Sequence, residues 1–176
     1  MNDWKVIVSV ATYNERENIE RLVVAIRKAV GDIHVLVIDD GSPDGTGDWC
    51  EQFEQGHDWF HHIQRGTKQG LGTATICGMQ YAVEQGYSLW IGMDADFSHP
   101  PEKLPALVQA MGDPKRPIAD VVIGSRYCRG GSVKNWPFKR ILMSYFASVY
   151  VRLILFISIK DTTAGFKGYR IDVLKK

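Results

Sequence analysis

Cysteine is scarce in this chain and follows no recognisable pairing pattern. The three cysteines, Cys50, Cys77 and Cys128, are odd in number and include no Cys-x-x-Cys pair. A disulfide framework or a zinc knuckle needs cysteines in regularly spaced pairs. The sequence therefore argues against both, and it predicts reduced thiols in a cytoplasmic protein.

A long hydrophobic run and a strong net charge are also missing. The longest apolar stretch, from Tyr145 to Ile159, is interrupted by Arg152 and is shorter than the roughly 20 residues that a membrane-spanning helix needs. No secretory signal is evident at the N-terminus, so we expect neither a signal peptide nor a spanning helix. The formal net charge of +1 gives no reason to expect nucleic acid as a partner.

What the sequence does contain is a regular alternation of strand-like and helix-like segments. Its 176 residues correspond to about one domain. Strands are predicted at 5–10, 33–38, 61–64, 88–94, 120–124 and 163–169. Helices are predicted at 17–29, 73–85 and 138–157. Two further helices are predicted, one beginning at Thr46 or Gly47 and one following Pro100-Pro101. This alternation is typical of an α/β fold with a mostly parallel sheet and helices on both faces. Asn14 is the predicted cap of the first helix.

The most informative motif is Asp94-Ala95-Asp96, which follows an apolar strand-like run ending at Met93. Residues two apart in extended backbone point to the same side, so the two carboxylates face one way. Hard oxygen ligands in this arrangement can hold Mg²⁺ or Mn²⁺, and the ion can hold a diphosphate. A solvated surface turn is the alternative. His99, just beyond, either lines such a site or packs structurally.

The acidic turn Asp39-Asp40-Gly41 follows the second predicted strand. Aspartate, proline and glycine are common in turns, so a plain turn explains the segment. A carboxylate at this position can also accept the N–H groups of a nucleobase or contact a ribose. The sequence leaves both interpretations open.

The glycine-rich segment 66–73 does not match a standard phosphate-binding pattern. It lacks the spacing of a P-loop and of the Gly-x-Gly-x-x-Gly turn of dinucleotide-binding folds. We interpret it either as a flexible connector or as a loop beside a phosphate or sugar at a helix N-terminus.

Arg126, Arg140 and Ser144 are candidates for binding an anion. Arg126 follows the strand predicted at 120–124, and a guanidinium can bind a phosphate through two donors. Arg140 and Ser144 are four residues apart on a predicted helix, so they share one face. Exposed helix residues without a ligand are the alternative. The same helix, 138–157, either packs on the core or lies in a membrane interface, since apolar residues occur on more than one face.

These motifs occur in one order along nearly the whole chain, from Val6 to Leu174. They are Thr12-Tyr-Asn-Glu15, Asp39-Asp-Gly-Ser-Pro-Asp-Gly-Thr46, Gly70-Leu-Gly-Thr-Ala74, Met93-Asp-Ala-Asp-Phe-Ser-His-Pro100, Gly124-Ser-Arg-Tyr127 and Asp161-Thr-Thr-Ala-Gly-Phe166. With this order and spacing, the chain resembles the family 2 inverting glycosyltransferases of the GT-A fold, which has a Rossmann-like, mostly parallel sheet. Within that family it is most similar to the catalytic domains of dolichol-phosphate (polyprenol-monophosphate) mannose synthases.

The resemblance implies inverting transfer of mannose from GDP-mannose to a polyprenyl (dolichyl) monophosphate, which gives a β-mannosyl phospholipid. It also implies a Mg²⁺ or Mn²⁺ cofactor and peripheral contact with the cytoplasmic face of a membrane. The donor would contact Ala11, Tyr13, Glu15, Ile38, Asp40, Asp94, Ala95, Asp96 and Arg126. The metal would be held at Asp94, Asp96 and Ser98, and the acceptor phosphate at Arg126, Arg140 and Ser144. The catalytic residues would be Asp94, Asp96 and Arg126.

The chain departs from the family pattern at two places. Ala11 stands where the family usually has proline, a mild change in the rigidity of the loop. Family members also continue beyond Lys176, so we expect a single catalytic domain over residues 1–176 that is truncated at its C-terminus. Two alternatives stay open: a transferase using UDP-glucose or another nucleotide sugar on a polyprenyl phosphate, and a non-catalytic nucleotide-sugar-binding subunit.

Overall fold

The computed structural model describes residues 4–128, 131 and 137–175, without the side chains of Phe138 and Arg140. The strands are β1 (Val6–Thr12), β2 (His34–Asp39), β3 (Phe60–Gln64), β4 (Leu89–Asp94), β5 (Gly112–Asp113), β6 (Arg116–Pro117), β7 (Val121–Ile123) and β8 (Lys167–Arg170). The helices are α1 (Arg16–Val30), α2 (Thr46–Glu54), α3 (Leu71–Glu84), α4 (Leu104–Ala110), α5 (Phe138–Leu155) and α6 (Ile171–Leu174). A 3₁₀ turn at Pro101–Lys103 precedes α4.

Within the described residues, six strands form one sheet in the order β3-β2-β1-β4-β8-β7. The pairs β1–β2, β1–β4 and β2–β3 are parallel, whereas β8 is antiparallel to both of its neighbours. β7 therefore runs in the same direction as β4, and β8 alone of these six strands is reversed. The prediction of a mostly parallel sheet is confirmed.

Helices cover both faces of this sheet. Because alternate strand residues face opposite sides, Val8 and Val10 of β1 pack on one face, in a core that includes residues of α1, α2 and α4. Ile7, which directly precedes Val8, packs on the other face with residues of α3 and α6. Two separate apolar cores thus hold the central strands rigidly, and their carboxyl ends share one edge.

The predicted cap of α1 was wrong. The cap residue is Glu15, while Asn14 adopts a φ of 61° and its N–H donates to Ser42 Oγ at 2.9 Å. The first amide of α1, that of Arg16, donates instead to Asp44 Oδ2 at 2.9 Å. A carboxylate from the loop between β2 and α2, distant in sequence, therefore accepts the first amide of this helix.

α5 leaves most of its large apolar side chains in solvent. Phe146, Tyr150 and Leu153 are 58%, 65% and 69% exposed, and among the described side chains of α5 only Ser148 is buried. The alternative that packs α5 on the core is therefore wrong for most of its length. Across the part of the chain that the structure describes, no helix combines the length and apolarity needed to cross a bilayer.

Candidate functional site

The Asp94-Ala95-Asp96 motif lies at the carboxyl edge of the sheet, where β4 ends. Exposure alternates along it: Asp94 is partly exposed, Ala95 is buried and Asp96 is exposed. Ala95 belongs to the core on the α1 face. The two carboxylates thus remain accessible, whereas any contact of Ala95 with a ligand would have to use its backbone.

A local hydrogen bond orients the Asp96 carboxylate, and His99 lies beside the Asp94 carboxylate. The Ser98 N–H donates to Asp96 Oδ1 at 2.9 Å. Burial raises the pKa of Asp96, but the hydrogen bonds from Ser98 outweigh it and the pKa is lowered. The Asp94 N–H donates to His99 Nδ1 at 2.9 Å, and His99 Nε2 lies 3.6 Å from Asp94 Oδ2. His99 therefore both packs structurally and touches the motif.

The segment Asp161–Phe166, here called the return segment, forms the wall opposite this motif. A β-carbon on Gly165 would lie 3.0 Å from His99 Cε1 and 3.6 Å from Asp94 Oδ1. Phe166 stacks on the His99 ring with centroids 5.1 Å apart. The motif at 161–166 is visible in the sequence, but the sequence predicts no role for it at the site.

The acidic turn is built into the protein by hydrogen bonds. Asp39 Oδ1 accepts from Thr12 Oγ1 at 3.0 Å, and Asp39 Oδ2 accepts from the Ser42 N–H at 2.8 Å. Burial is nearly complete at both Asp39 and Asp40. The turn is therefore more than a solvated connection between β2 and α2.

Asp40 forms a buried ion pair that sequence reasoning missed. Its Oδ1 accepts from Arg65 Nε at 2.6 Å, and Arg65 Nη2 also contacts this oxygen. Its Oδ2 accepts from the N–H groups of Gln69 and Gly70 at 3.1 and 2.9 Å. The predicted nucleobase acceptor thus holds the glycine-rich loop in this structure. A cation directly after β3, at the same sheet edge, was the signal available in the sequence.

Three of the predicted donor residues lie side by side on adjacent strands. Ala11 pairs with Ile38 on β2 and with Asp94 on β4. The Ile38 side chain is fully buried on the α3 face, so it supports the edge from beneath. A cavity of about 170 Å³ opens beside Ala11, Asp94 and Gly165.

The remaining donor candidates, Tyr13 and Glu15, lie in the loop after β1. The Lys68 ammonium lies 3.9 Å from the centre of the Tyr13 ring, which brings the glycine-rich loop over the exposed aromatic face. Glu15 is partly exposed, and its Oε2 accepts from Asn18 Nδ2 at 2.8 Å. The structure therefore gathers these residues around one end of the sheet.

Arg126 lies on the other side of the return segment. Its Nε and Nη2 donate to Asp161 at 2.9 and 2.6 Å, and Nη2 also donates to Thr163 Oγ1 at 2.7 Å. Ser144 Oγ lies 3.3 Å from Thr163 Oγ1. The structure thus brings Arg126 and Ser144 together through Thr163, a residue not predicted. The side chain of Arg140 lies outside the described part of the chain.

Comparison with known families agrees with this arrangement. Residues 7–176 match the family described as Glycosyl transferase family 2. The chain belongs to glycosyltransferase family 2. It is 43% identical over 173 residues to polyprenol monophosphomannose synthase from Mycolicibacterium smegmatis, covering 98% of this chain and 64% of that protein. It is also 43% identical over 171 residues to undecaprenyl-phosphate mannosyltransferase from Micrococcus luteus, covering 97% and 68%.

Solved structures place this family 2 chain among GT-A proteins. Glucosyl-3-phosphoglycerate synthase from Mycobacterium tuberculosis, solved with Mn²⁺ and UDP, matches with a TM-score of 0.68 at 16% identity, over 98% of this chain and 58% of that one. A mannosyltransferase from Pyrobaculum calidifontis, solved with GDP-Man and Mn²⁺, matches with a TM-score of 0.63 at 18% identity, over 98% and 46%. The predicted fold class is confirmed.

Among the described residues of this family 2 chain, no three or more histidine, cysteine, aspartate or glutamate side chains form a group that could hold a metal ion. At the open carboxyl edge of the sheet, Asp94 and Asp96 thus offer a cation two carboxylates, and further ligands would have to come from elsewhere. The side chains of Arg126, Thr163 and Ser144, here called the Arg126 cluster, lie on one side of the return segment, and Asp94 lies beside its Gly165 on the other.

Proposed function

We propose that the chain is a single catalytic domain that transfers mannose from GDP-mannose to a polyprenyl monophosphate, with inversion. The observation that carries the proposal is the return segment, which lines one cavity with Asp94 through Gly165 and contacts the Arg126 guanidinium through Asp161 and Thr163. A metal–diphosphate held at Asp94 and Asp96 would therefore adjoin an acceptor phosphate held at Arg126. The 43% identity to two proteins named for mannose transfer to polyprenyl phosphates supports this substrate pair.

Asp94 and Asp96 would hold a divalent cation, Mg²⁺ or Mn²⁺, with Ser98 beside Asp96. The donor set fits such an ion, because two carboxylates are accessible at the edge and the lowered pKa keeps Asp96 ionised at neutral pH. Other ligands would come from the donor diphosphate and water. When bound, the cation supplies Lewis-acid stabilisation to the negative charge on the departing GDP.

The acceptor phosphate needs to be positioned more than it needs to be deprotonated. The second pKa of a phosphate monoester is about 6, so the oxygen nucleophile is mostly ionised at neutral pH. One phosphate oxygen would form a bond to the mannose C1 as the C1–O bond to GDP breaks, and GDP leaves with the electron pair. Attack from the side opposite to GDP inverts C1 and gives the β-linked product. Arg126, Ser144 and Arg140 would hold the anion for this attack.

We further propose that α5 makes peripheral contact with the cytoplasmic face of the membrane that holds the lipid acceptor. Its exposed apolar side chains include Phe146, Tyr150 and Leu153, and a helix of this kind gains free energy by burying them in a lipid interface. Ser144, next to Thr163, lies on the same helix. The acceptor headgroup would therefore reach the Arg126 cluster from the membrane surface.

The proposal is tested by isothermal calorimetry with GDP, GDP-mannose and UDP-glucose, with and without Mn²⁺. We expect Mn²⁺-dependent binding that favours guanosine and is lost in Asp94→Asn. The exposed helix residue Asp48 provides a matched control, and Asp48→Asn should bind like the wild type. Preference for UDP-glucose would favour the alternative donor. Donor binding without mannose transfer to a polyprenyl phosphate in vesicles would favour a non-catalytic subunit.

A further inference from the structure

The orientation of Arg126 is set by a fully buried carboxylate. The Arg126 backbone N–H and Nε both donate to Asp161 Oδ2 at 2.9 Å, and Nη2 donates to Oδ1 at 2.6 Å. Asp161 is 1% exposed. Burial raises its pKa, but the hydrogen bonds from Arg126 outweigh it and the pKa is lowered. A charge-assisted pair with three bonds fixes both the position and the plane of the guanidinium.

This pairing changes what Arg126 can offer an anion. The charges of Arg126 and Asp161 largely cancel, so an incoming phosphate meets a nearly neutral pair rather than an isolated cation. Directional hydrogen-bond donors next to the pair then become important for binding. Thr163 and Ser144 are the hydroxyl groups that lie there, in a row with Arg126 Nη2.

Thr163 has the right chemistry and exposure to act as such a donor. Its Oγ1 accepts the hydrogen bond from Arg126 Nη2 at 2.7 Å, so its own hydroxyl hydrogen remains available to point at Ser144 or at a ligand. The residue is exposed, whereas its neighbours in the return segment, Asp161 and Ala164, are buried. A group that served packing alone would have no need of this exposure.

Three buried hydroxyl groups close to this row in the chain have no partner among the described residues. They are Tyr127 Oη, Ser148 Oγ and Thr162 Oγ1. Each is adjacent in sequence, or one helical turn away, from Arg126, Ser144 or Thr163. Buried polar groups are normally satisfied, so the contacts among the described residues leave hydroxyl groups of this region unused.

We propose that Thr163 is a further binding residue for the acceptor phosphate, and that Asp161 is a positioning residue that keeps Arg126 beside it. The inference rests on the proposed function, because it takes the acceptor to be a phosphate monoester. Thr163 donates to a phosphate oxygen, and Asp161 acts only through Arg126. The return segment thereby contributes directly to the acceptor side of the site.

The test compares two substitutions of one exposed residue in the whole 176-residue chain. Thr163→Val keeps the shape and removes the hydroxyl, whereas Thr163→Ser keeps the hydroxyl. The probe is farnesyl phosphate in detergent micelles. Farnesol, which lacks the phosphate, tests binding through the lipid alone, and inorganic phosphate tests binding of the free ion. We expect Thr163→Val to bind farnesyl phosphate about tenfold more weakly, the effect of losing one hydrogen bond to a charged group, and Thr163→Ser to bind within about twofold of the wild type.

A purely structural role predicts a different pattern. It would lower the melting temperature of Thr163→Val without changing its affinity for farnesyl phosphate, and that result would overturn the proposal. Equal loss in the valine and serine variants would also overturn it, as would a wild type that does not bind farnesyl phosphate. Asp161→Asn, assayed below its melting temperature, should weaken farnesyl phosphate binding more than Mn²⁺-dependent GDP-mannose binding, because the donor has other predicted contacts besides Arg126. Equal weakening of both ligands would contradict the positioning role.

The donor measurement separates this inference from the proposed function. Hydroxyl-dependent farnesyl phosphate binding by a chain that does not bind GDP-mannose would support the role of Thr163 and refute the proposed donor. GDP-mannose binding without farnesyl phosphate binding would refute the role of Thr163 and leave the donor assignment intact.

Discussion

Gly165 and His99 approach so closely that a β-carbon on Gly165 would lie 3.0 Å from the imidazole Cε1. The ring is constrained, because it stacks on Phe166 and its Nδ1 accepts the Asp94 N–H. A glycine at this position therefore lets the return segment approach the Asp94-Ala95-Asp96 motif without displacing His99.

The first prediction concerns this contact. Gly165→Ala should push His99 away from the Asp94 amide and weaken Mn²⁺-dependent GDP-mannose binding by about tenfold, with a stability loss of about 1–3 kcal/mol from overpacking. Calorimetry and urea unfolding measure the two effects. Gly56→Ala is the control, since the nearest atom to its added β-carbon is 4.0 Å away. Donor binding by Gly165→Ala as tight as in the wild type would contradict the prediction.

The second prediction concerns the ion pair between Arg65 and Asp40, whose side chains are each 7% exposed. Arg65→Met removes the charge that compensates a buried carboxylate, so it should destabilise the protein by about 3–5 kcal/mol in urea unfolding. The control is Arg16→Met, which breaks the exposed pair with Glu20 and should cost under about 0.5 kcal/mol. Similar losses in both variants would mean that Asp40 does not depend on Arg65.

The third prediction is a pH dependence of stability from two hydrogen-bonded histidines. His34 Nδ1 and His61 Nε2 lie 2.9 Å apart, and Tyr87 Oη lies within 3.1 Å of both. Burial lowers the pKa of both rings; Lys5 lowers that of His34 further, and each effect favours the neutral forms. Below pH 6.5 the unfolded chain then binds more protons than the folded one. The stability present above pH 6.5 should therefore decrease as the pH falls through the lowered pKa values.

Urea unfolding between pH 8 and 5 measures this effect. The double variant His34→Gln, His61→Gln should lose less stability over this range than the wild type. Part of the slope should persist, because burial also lowers the pKa values of His62 and His99. An unchanged slope in the double variant would show that the pair does not titrate as described.

The fourth prediction concerns the membrane contact proposed for α5. Replacing Phe146 and Leu153 together by glutamine should weaken binding to anionic phospholipid vesicles by at least about tenfold, since each buried side chain contributes roughly 1.5–3 kcal/mol. Vesicle co-sedimentation measures the binding. Val24→Gln is the control, because Val24 is a similarly exposed apolar residue, 56% exposed, on α1. Equal binding by the double variant and the control would exclude α5 as the contact.

Strand and helix positions were predictable wherever the apolar pattern was strong. β1, β2 and β4 lie within two residues of their predicted bounds, because each strand is buried on both faces and is therefore almost continuously apolar. In β1, for example, Ile7 packs in one core and Val8 in the other. The hairpin β5–β6 was not predicted, since strands of two residues are too short to carry a periodic pattern. Predicted strand ends also placed Asp94 and Asp40 at one edge, because parallel strands share their carboxyl ends.

The partners of the site residues were not predictable in the same way. Arg65 and Asp40 are 25 residues apart, and Arg126 and Asp161 are 35 apart. Their pairing depends on strand order, which local pattern does not determine. Thr163 was missed for the same reason: its role arises only when the return segment meets α5. The sequence thus indicated the chemistry of the site, whereas its connections required the fold.

The reversed direction of β8 explains how one short segment can serve two half-sites. Loops at this edge otherwise leave the sheet after a strand, but the return segment enters it, because β8 begins beside Gly92 of β4 and Ile123 of β7. The chain therefore passes between the loop that holds a carboxylate pair and the loop that holds a guanidinium. Because Gly165 lies beside Asp94 and both Asp161 and Thr163 bond to Arg126, a shift of this one entering strand would change the surroundings of the carboxylate pair and of the guanidinium at the same time.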